Sequence, residues 1–186
     1  RRGQLIAPAV RGNSPHRRAD FARWRDRPKT AVTPTVAGAG ILNGKRLSSN
    51  NLLGRESAVA AVGRFAGPAT AIIKHTNPCG LACGDTLLEA YKKAHAGDPI
   101  SAYGGIIGCN RVVDADVAQE MAQLFYEAII APEFTPAALT ILYAKKNLRL
   151  LATHCPIDPS TINTQSFKSG RPEVRSISGG LLFQTP

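Results

Sequence analysis

Short apolar runs alternate with amphipathic segments through the middle of the chain, and this alternation limits the possible fold more than any other feature. The runs are short enough to be buried strands, whereas the segments between them carry apolar residues at helical spacing. The predicted strands are residues 69–73, 105–109, 127–131 and 148–152, and the predicted helices are residues 51–65, 85–95, 114–125 and 136–143. Such an order predicts an α/β domain, with a largely parallel sheet and flanking helices.

Residues that favour helix starts and stops support these boundaries. Asp85 and Asp114 stand where N-caps are expected, and Thr135 is followed by Pro136, the combination typical of a first helical turn. Gly97-Asp98-Pro99 ends the second helix. We expect a turn at Asn77-Pro78-Cys79-Gly80, shortly after the first predicted strand.

Composition divides the chain into three parts. Residues 1–40 are rich in Arg, Pro, Gly and Ala and are predicted to be an irregular, basic lead-in. Residues 41–152 hold the α/β pattern. Residues 153–186 begin as a polar linker and end inside a further apolar element, which looks truncated. Because the chain starts without Met or a signal region, we expect it to be a fragment.

Positive charge is concentrated at the start of the chain. The formal net charge is +10, and residues 1–30 hold nine Lys and Arg against two Asp. One interpretation is a nucleic-acid-binding module; the other is a solvated lead-in. We favour the lead-in because Phe21 and Trp24 are the only aromatics among these cations. No apolar run reaches the roughly 18 residues that a membrane span needs.

The chemically distinctive residues follow the first predicted strand. Lys74 and His75 stand at its carboxyl end, where they can supply a cation and a general base. Ligands of open α/β sheets bind beyond such strand ends. The next strand is preceded by 98–105, in which Gly104 and Gly105 allow a ligand to approach the backbone. Each of these features by itself is more often structural.

Five blocks together give the chain a resemblance. They are Asn43 to Asn51, Ile73-Lys74-His75-Thr76-Asn77-Pro78-Cys79-Gly80, Asp98 to Ile107, Ile129 to Pro132 with the later Lys145-Lys146-Asn147-Leu148-Arg149, and Arg175 to Leu182. In this order they are similar to blocks of the AICAR transformylases, the formyl-transferring part of bifunctional purine-biosynthesis enzymes that also carry IMP cyclohydrolase.

The resemblance implies a fold and a reaction. The chain would be about the N-terminal half of a two-subdomain transformylase with a cytidine-deaminase-like fold. The enzyme would transfer the formyl group of 10-formyltetrahydrofolate, its co-substrate, to the 5-amino group of AICAR. The product FAICAR is closed to IMP by the family's other domain. The family also implies a homodimer in the cytoplasm, with AICAR and folate as its small-molecule ligands, no membrane partner and no zinc.

The resemblance also implies site residues. His75 would be the base that acts on the amine, and Lys74 would assist at the folate nitrogen. Asn77, Gly104 and Glu127 match positions that bind the substrate in the family.

The first part of the chain departs from the family pattern. The family has an Arg-Tyr-Gly-x-Asn-Pro-His block near the start of this domain, where the chain reads Val10 to His16. Arg11 remains a candidate for contact with the substrate phosphate. Further family residues lie beyond this sequence, so the fragment alone is expected to be inactive or nearly so.

A zinc-dependent nucleoside deaminase is the remaining alternative. Deaminases use His-x-Glu followed by Pro-Cys-x-x-Cys. The chain has Asn77 in place of the Glu, and three residues rather than two separate Cys79 from Cys83. We therefore expect no metal site. Four cysteines in 186 residues do not suggest a disulfide scaffold, and reduced cytosolic thiols are the default.

Overall fold

The structure is a computed structural model of the chain. It describes residues 4–11, 18–23, 39–44, 49–161, 173–177 and 180–184, with side chains for 39–44 and 53–161. The helices are α1 (Ser49–Val62), α2 (Leu87–Gly97), α3 (Pro99–Ala102), α4 (Ala115–Ala122) and α5 (Pro136–Tyr143). The strands are β1 (Gln4–Arg11), β2 (Arg18–Arg23), β3 (Gly40–Asn43), β4 (Ala69–Lys74), β5 (Asn77–Cys83), β6 (Ile106–Cys109), β7 (Ala128–Ala131), β8 (Arg149–Ala152), β9 (Glu173–Ile177) and β10 (Gly180–Gln184).

A six-stranded mixed sheet with helices on both faces forms the core, so the predicted α/β class is confirmed. Its strand order is β3-β8-β7-β6-β4-β5. The strands β6, β7 and β8 run parallel to their neighbours in this group, whereas β4 is antiparallel to both β5 and β6, and β3 is antiparallel to β8. The parallel part is therefore limited to the centre of the sheet.

The strand β5 accounts for this difference from the sequence prediction. We predicted a turn at Asn77 to Gly80, but these residues begin β5, and Lys74 pairs with Asn77 across a loop of two residues. The hairpin reverses the chain before α2, so that β6 runs with β5 and against β4. Pro78 is tolerated because β5 is an edge strand of this sheet.

The two faces of the sheet bury separate apolar clusters. Side chains that alternate along each strand explain the division, since neighbouring residues point to opposite faces. On one face Ile72, Ile107 and Ile129 pack with residues of α2, α4 and α5, and on the other Ile73 and Ile130 pack with α1. The helix α1 packs close to β6, and glycine at 108 permits this approach. A Cβ added to Gly108 would come 2.8 Å from the Cβ of Ala58.

Helix caps agree with the sequence at two of three positions. The side chains of Asp114 and Thr135 accept hydrogen bonds from the first turns of α4 and α5, as predicted. The cap of α2 is Thr86 rather than Asp85, because the Thr86 hydroxyl accepts from the backbone N–H of Glu89 at 3.2 Å. The Glu89 carboxylate in turn accepts from the backbone N–H of Asp85 at 2.8 Å, a reciprocal arrangement.

Two antiparallel strand pairs lie outside this sheet. We expected irregular chain across residues 1–40, but the structure has β1 paired with β2. The apolar residues between Leu5 and Val10 are compatible with a strand, whereas we gave more weight to the Arg, Pro and Gly around them. The apolar element near the end of the chain is the β9–β10 hairpin. None of the described helices combines the length and apolar character that crossing a membrane requires.

One buried amide fastens the end of α1 to the start of β4. Asn110 is 2% exposed, and its Oδ1 accepts from the backbone N–H of Ala69 at 2.7 Å. Its Nδ2 donates to the backbone carbonyls of Phe65 at 3.1 Å and Gly67 at 2.8 Å. The Asn110 amide therefore supplies hydrogen-bond partners for backbone groups in the turn between α1 and β4, which the hydrogen bonds of helix and strand do not reach.

Replacing this amide should weaken the fold. Asn110→Ala leaves buried backbone groups without partners, so we expect the free energy of unfolding to fall by roughly 3 kcal/mol or more. Urea denaturation followed by circular dichroism measures the change. The exposed Asn147→Ala is the control and should change stability by less than about 0.5 kcal/mol. Equal effects of the two substitutions would contradict this role of Asn110.

Candidate active site

The direction of β4 decides on which edge of the sheet the lysine–histidine pair lies. Because β4 is antiparallel to β6, with Ile73 opposite Ile106, the carboxyl end of β4 meets the amino end of β6. The sequence argument placed Lys74 and His75 beyond the carboxyl ends of parallel strands. That placement is wrong for β6, β7 and β8, whose amino ends border the pair.

A cavity of about 250 Å³ lies at this edge, on the α1 side of the sheet. It brings together four of the six predicted site residues. Its lining consists of Gly54, Ile73, Lys74, His75, Thr76, Gly104, Ile106 and Glu127. The structure therefore gathers residues from α1, β4 and the chain segments that enter β6 and β7, although they are far apart in sequence.

The ammonium of Lys74 is held beside the entry to β6. Its Nζ donates a hydrogen bond of 2.5 Å to the backbone carbonyl of Tyr103. Gly104 follows with φ of +70°, and a Cβ at this position would stand 3.2 Å from the lysine Nζ. An ammonium has three donors, so two N–H groups remain for a ligand. Glycine at 104 thus gives both the backbone conformation and the space that Lys74 needs.

The loop between β4 and β5 consists of two residues in left-handed conformations. His75 has φ of +52° and Thr76 has φ of +74°, the φ pattern of a type I′ hairpin turn. Glycine and asparagine are the usual residues of such turns, and a β-branched threonine there is strained. Both side chains are exposed and line the cavity. The turn is therefore strained, and its strained conformation places His75 at the cavity wall.

Charged groups gather at the amino ends of β7 and β8. The Glu127 backbone N–H donates to Gly105 at 2.9 Å, which ties this residue to the start of β6. Its carboxylate Oε2 lies 4.0 Å from Nη1 of Arg149. Arg55 of α1 is also near and has 0% exposure. The sequence prediction missed Arg55, since an isolated arginine between helical apolar positions gives no signal of burial.

Two predicted site residues are not placed in the cavity wall. The Asn77 side chain is exposed, and its Nδ2 donates to the His75 backbone carbonyl at 3.4 Å. Arg11 is the last residue of β1, and its side chain lies outside the described part of the structure. The side chains of the basic residues 1–30 also lie outside it, so the nucleic-acid interpretation is untested.

The two cysteines that raised the deaminase alternative are far apart. Cys79 and Cys83 both lie in β5, and four residues of strand span roughly 13 Å. The Cys79 thiol donates to the backbone carbonyl of Ile72 at 3.4 Å, whereas Cys83 is exposed. Among the described residues no three His, Cys, Asp or Glu side chains form a group that could hold a metal ion. Cys79 and Cys83 are therefore too far apart along β5 to bind one ion together.

Relieving the strain in the hairpin loop should stabilise the chain. A left-handed conformation costs an L-residue roughly 1–2 kcal/mol, more than the extra chain entropy that glycine loses on folding. We expect Thr76→Gly to raise the free energy of unfolding by about 0.5–1 kcal/mol, measured by urea denaturation. Thr140→Gly, in the exposed face of α5, is the control and should lower it. Destabilisation by both substitutions would contradict the strain.

Comparison with known proteins assigns the family. The family model described as AICARFT/IMPCHase bienzyme matches residues 7–186. A bifunctional purine biosynthesis protein PurH from Myxococcus xanthus is 45% identical over 173 residues, which are 92% of the chain and 32% of that protein. The protein of the same name from Parvibaculum lavamentivorans is 46% identical over 186 residues, covering 98% of the chain and 32% of the relative.

A relative of the same name from Bacillus thuringiensis is 41% identical over 173 residues and is covered to 31%. The chain thus spans about a third of the length of the curated relatives it matches. The family model, in contrast, covers nearly the whole chain. The chain belongs to the AICARFT/IMPCHase bienzyme family of purine biosynthesis.

Proposed function

We propose that the protein carrying this chain transfers the formyl group of 10-formyltetrahydrofolate to the 5-amino group of AICAR and so forms FAICAR. The observation that carries the proposal is the pairing of Lys74 and His75 in one cavity wall, in a chain of this family. Residues 41–152 are the subdomain that contributes this part of the site. A second activity, that of an IMP cyclohydrolase, is named in the family description and is proposed for the whole protein.

His75 is proposed as the general base. The 5-amino group of AICAR is a weak nucleophile and must lose a proton as its nitrogen bonds to the formyl carbon. An imidazole presented on the outside of a tight hairpin can reach such a proton without rearrangement of β4. The two-residue loop is short and places the His75 side chain at the cavity wall, which favours a defined geometry of attack.

Lys74 is proposed to act on the leaving group and on the developing charge. Attack on the formyl carbon makes a tetrahedral oxyanion, and collapse breaks the bond to the folate nitrogen, which takes up a proton. One lysine N–H is engaged with the Tyr103 carbonyl, and the others can donate to the oxyanion or to that nitrogen. The bond to Tyr103 also keeps the ammonium from swinging away from the cavity.

Substrate binding is proposed for the residues around this pair. Gly104 leaves room for a ligand beside Lys74, and the partly exposed carboxylate of Glu127 can accept hydrogen bonds from ligand N–H or O–H groups. Asn77 would have to release the His75 carbonyl to contact the substrate, and Arg11 is retained as a candidate phosphate contact. We further propose a cytoplasmic homodimer, and an isolated chain with little or no activity.

The role of His75 can be tested in a hybrid enzyme. The chain would replace its matching third of the Myxococcus xanthus relative, and FAICAR formation would be followed with AICAR and 10-formyltetrahydrofolate. His75→Ala should lower kcat by about 10²–10⁴-fold while AICAR binding by calorimetry persists, because only the base is removed. The exposed His154→Ala, at the opposite end of the parallel strands, is the matched control.

Two outcomes of the hybrid experiment would contradict different parts of the proposal. A folded hybrid that binds AICAR but makes no FAICAR would contradict the proposed reaction. A hybrid that keeps its turnover after His75→Ala would contradict only the role of the imidazole.

A methyl group beside Lys74 should also impair the reaction. Gly104→Ala forces a side chain into a positive φ and places it 3.2 Å from the lysine Nζ. We expect kcat/KM of the hybrid to fall by about tenfold to hundredfold, because the ammonium is displaced from its position. Gly67→Ala is the control, since a Cβ there has nothing within 4 Å. Unchanged kinetics in Gly104→Ala would show that the lysine position is not critical.

A further inference from the structure

Two buried tyrosines form a hydrogen bond on the face of the sheet that is opposite the cavity. Tyr91 of α2 is 3% exposed, and Tyr126, which directly precedes Glu127, is 2% exposed. Both belong to the apolar cluster on the α2 side. Their hydroxyl oxygens lie 3.1 Å apart, and the rings meet edge to face with centroids 6.5 Å apart. The pair therefore ties Tyr126 to α2 by a polar contact in an apolar setting, where an unpaired hydroxyl would be unfavourable.

Tyr91 is itself held in place, so it can serve as a fixed partner. Its ring also stacks on His95 one turn further along α2, with centroids 6.1 Å apart. Burial raises the pKa of both tyrosine hydroxyl groups above their ordinary value of about 10, so both are protonated at neutral pH. Each protonated hydroxyl can donate or accept a hydrogen bond. The contact between Tyr91 and Tyr126 therefore persists throughout the neutral range of pH.

The residues on either side of Tyr126 are bonded to the cavity wall. The Phe125 backbone carbonyl accepts from the N–H of Gly104 at 2.8 Å, and the Glu127 N–H donates to the carbonyl of Gly105 at 2.9 Å. These two hydrogen bonds join the entry of β7 to the entry of β6. Gly104 and Glu127 both line the cavity. A displacement of Tyr126 would therefore be transmitted through the backbone to both of these lining residues.

The anchor of Lys74 belongs to the same part of the wall. The lysine Nζ donates to the backbone carbonyl of Tyr103, which directly precedes Gly104. The Tyr103 ring packs against the Phe125 ring with centroids 5.4 Å apart. A Cβ at Gly104 would also come within 3.6 Å of the Phe125 ring. The place of Phe125 thus helps to set where the lysine finds its hydrogen-bond acceptor.

We infer that Tyr126 is a positioning residue, whose hydrogen bond to Tyr91 holds Gly104 and Glu127 in place at the cavity wall. The Tyr126 side chain is not part of the cavity lining, so it acts through its neighbours in the chain. Phenylalanine at this position would fill nearly the same volume but would leave the segment without its polar anchor to α2. The consequence for substrate binding rests on the proposed function, because AICAR is the ligand proposed for Gly104 and Glu127.

Amide hydrogen exchange in the 186-residue chain, followed by NMR, tests the positioning role without any reaction. Tyr126→Phe should raise the exchange rates of the Gly104 and Glu127 amides by about fivefold or more, because the segment opens more often. The equilibrium constant for unfolding in urea should also rise by about fivefold to thirtyfold, since the Tyr91 hydroxyl loses its partner. Tyr91→Phe breaks the same hydrogen bond from the other side and should act alike, so it serves as the test if Tyr126→Phe does not fold.

The double variant, Tyr91→Phe with Tyr126→Phe, separates positioning from stability. It leaves no unpaired hydroxyl, so its unfolding constant should return to within about threefold of that of the parent chain. The Gly104 and Glu127 amides should nevertheless keep exchanging faster, because the anchor is still absent. Tyr143→Phe removes an exposed hydroxyl at the end of α5 and should change neither quantity. Exchange rates that recover together with stability, or that change in none of the variants, would overturn the positioning role.

Kinetics of the hybrid enzyme test the consequence for the substrate. Tyr126→Phe and the double variant should raise KM for AICAR by about threefold to tenfold and change kcat less, because the displaced residues are the proposed binding residues. An unchanged KM in both variants would overturn the effect on binding. A hybrid with both tyrosines that forms no FAICAR would contradict the proposed function instead, and amide exchange would still decide the role of Tyr126.

Discussion

The structure depends on one antiparallel strand, the second from the edge of the six-stranded sheet. Strand β4 runs against both of its neighbours, so its carboxyl end lies at the edge where β6 and β7 begin. All of its residues except the last are buried. The core therefore holds β4 in place by packing, and the terminal Lys74 is carried to the cavity as a consequence. Without this reversal the lysine would lie at the opposite edge, away from Gly104 and Glu127.

Both ends of β4 are secured by polar contacts rather than by apolar packing alone. At its start the buried Asn110 amide bonds the Ala69 N–H and the carbonyls that follow α1. At its end Lys74 bonds the Tyr103 carbonyl, and the loop residues His75 and Thr76 take left-handed conformations. The fold thus stabilises β4 at one end and accepts strain at the other. Strain of this kind is found where a loop presents functional groups.

Charged side chains gather in and near the cavity at this edge of the sheet. Lys74 and Arg55 are cations that lack a carboxylate of their own among the described residues, and Glu127 lies between two arginines. The low-dielectric surroundings of Arg55 make its burial unfavourable, because the charge has lost its hydration and the described residues offer it no hydrogen bond.

The amino-acid sequence determined the α/β class, the positions of β4, β6, β7 and β8, and two helix caps, because each depends on residues that are close together in the chain. The blocks around Lys74-His75 and Asp98 to Ile107 also indicated the family. The sequence did not reveal β5 or the mixed strand directions, because the Pro and Gly at the start of β5 are residues typical of a turn. The burial of Arg55 and its approach to Glu127 were decided only by the tertiary structure. They arise where α1 crosses the sheet, from contacts between segments that are distant in sequence.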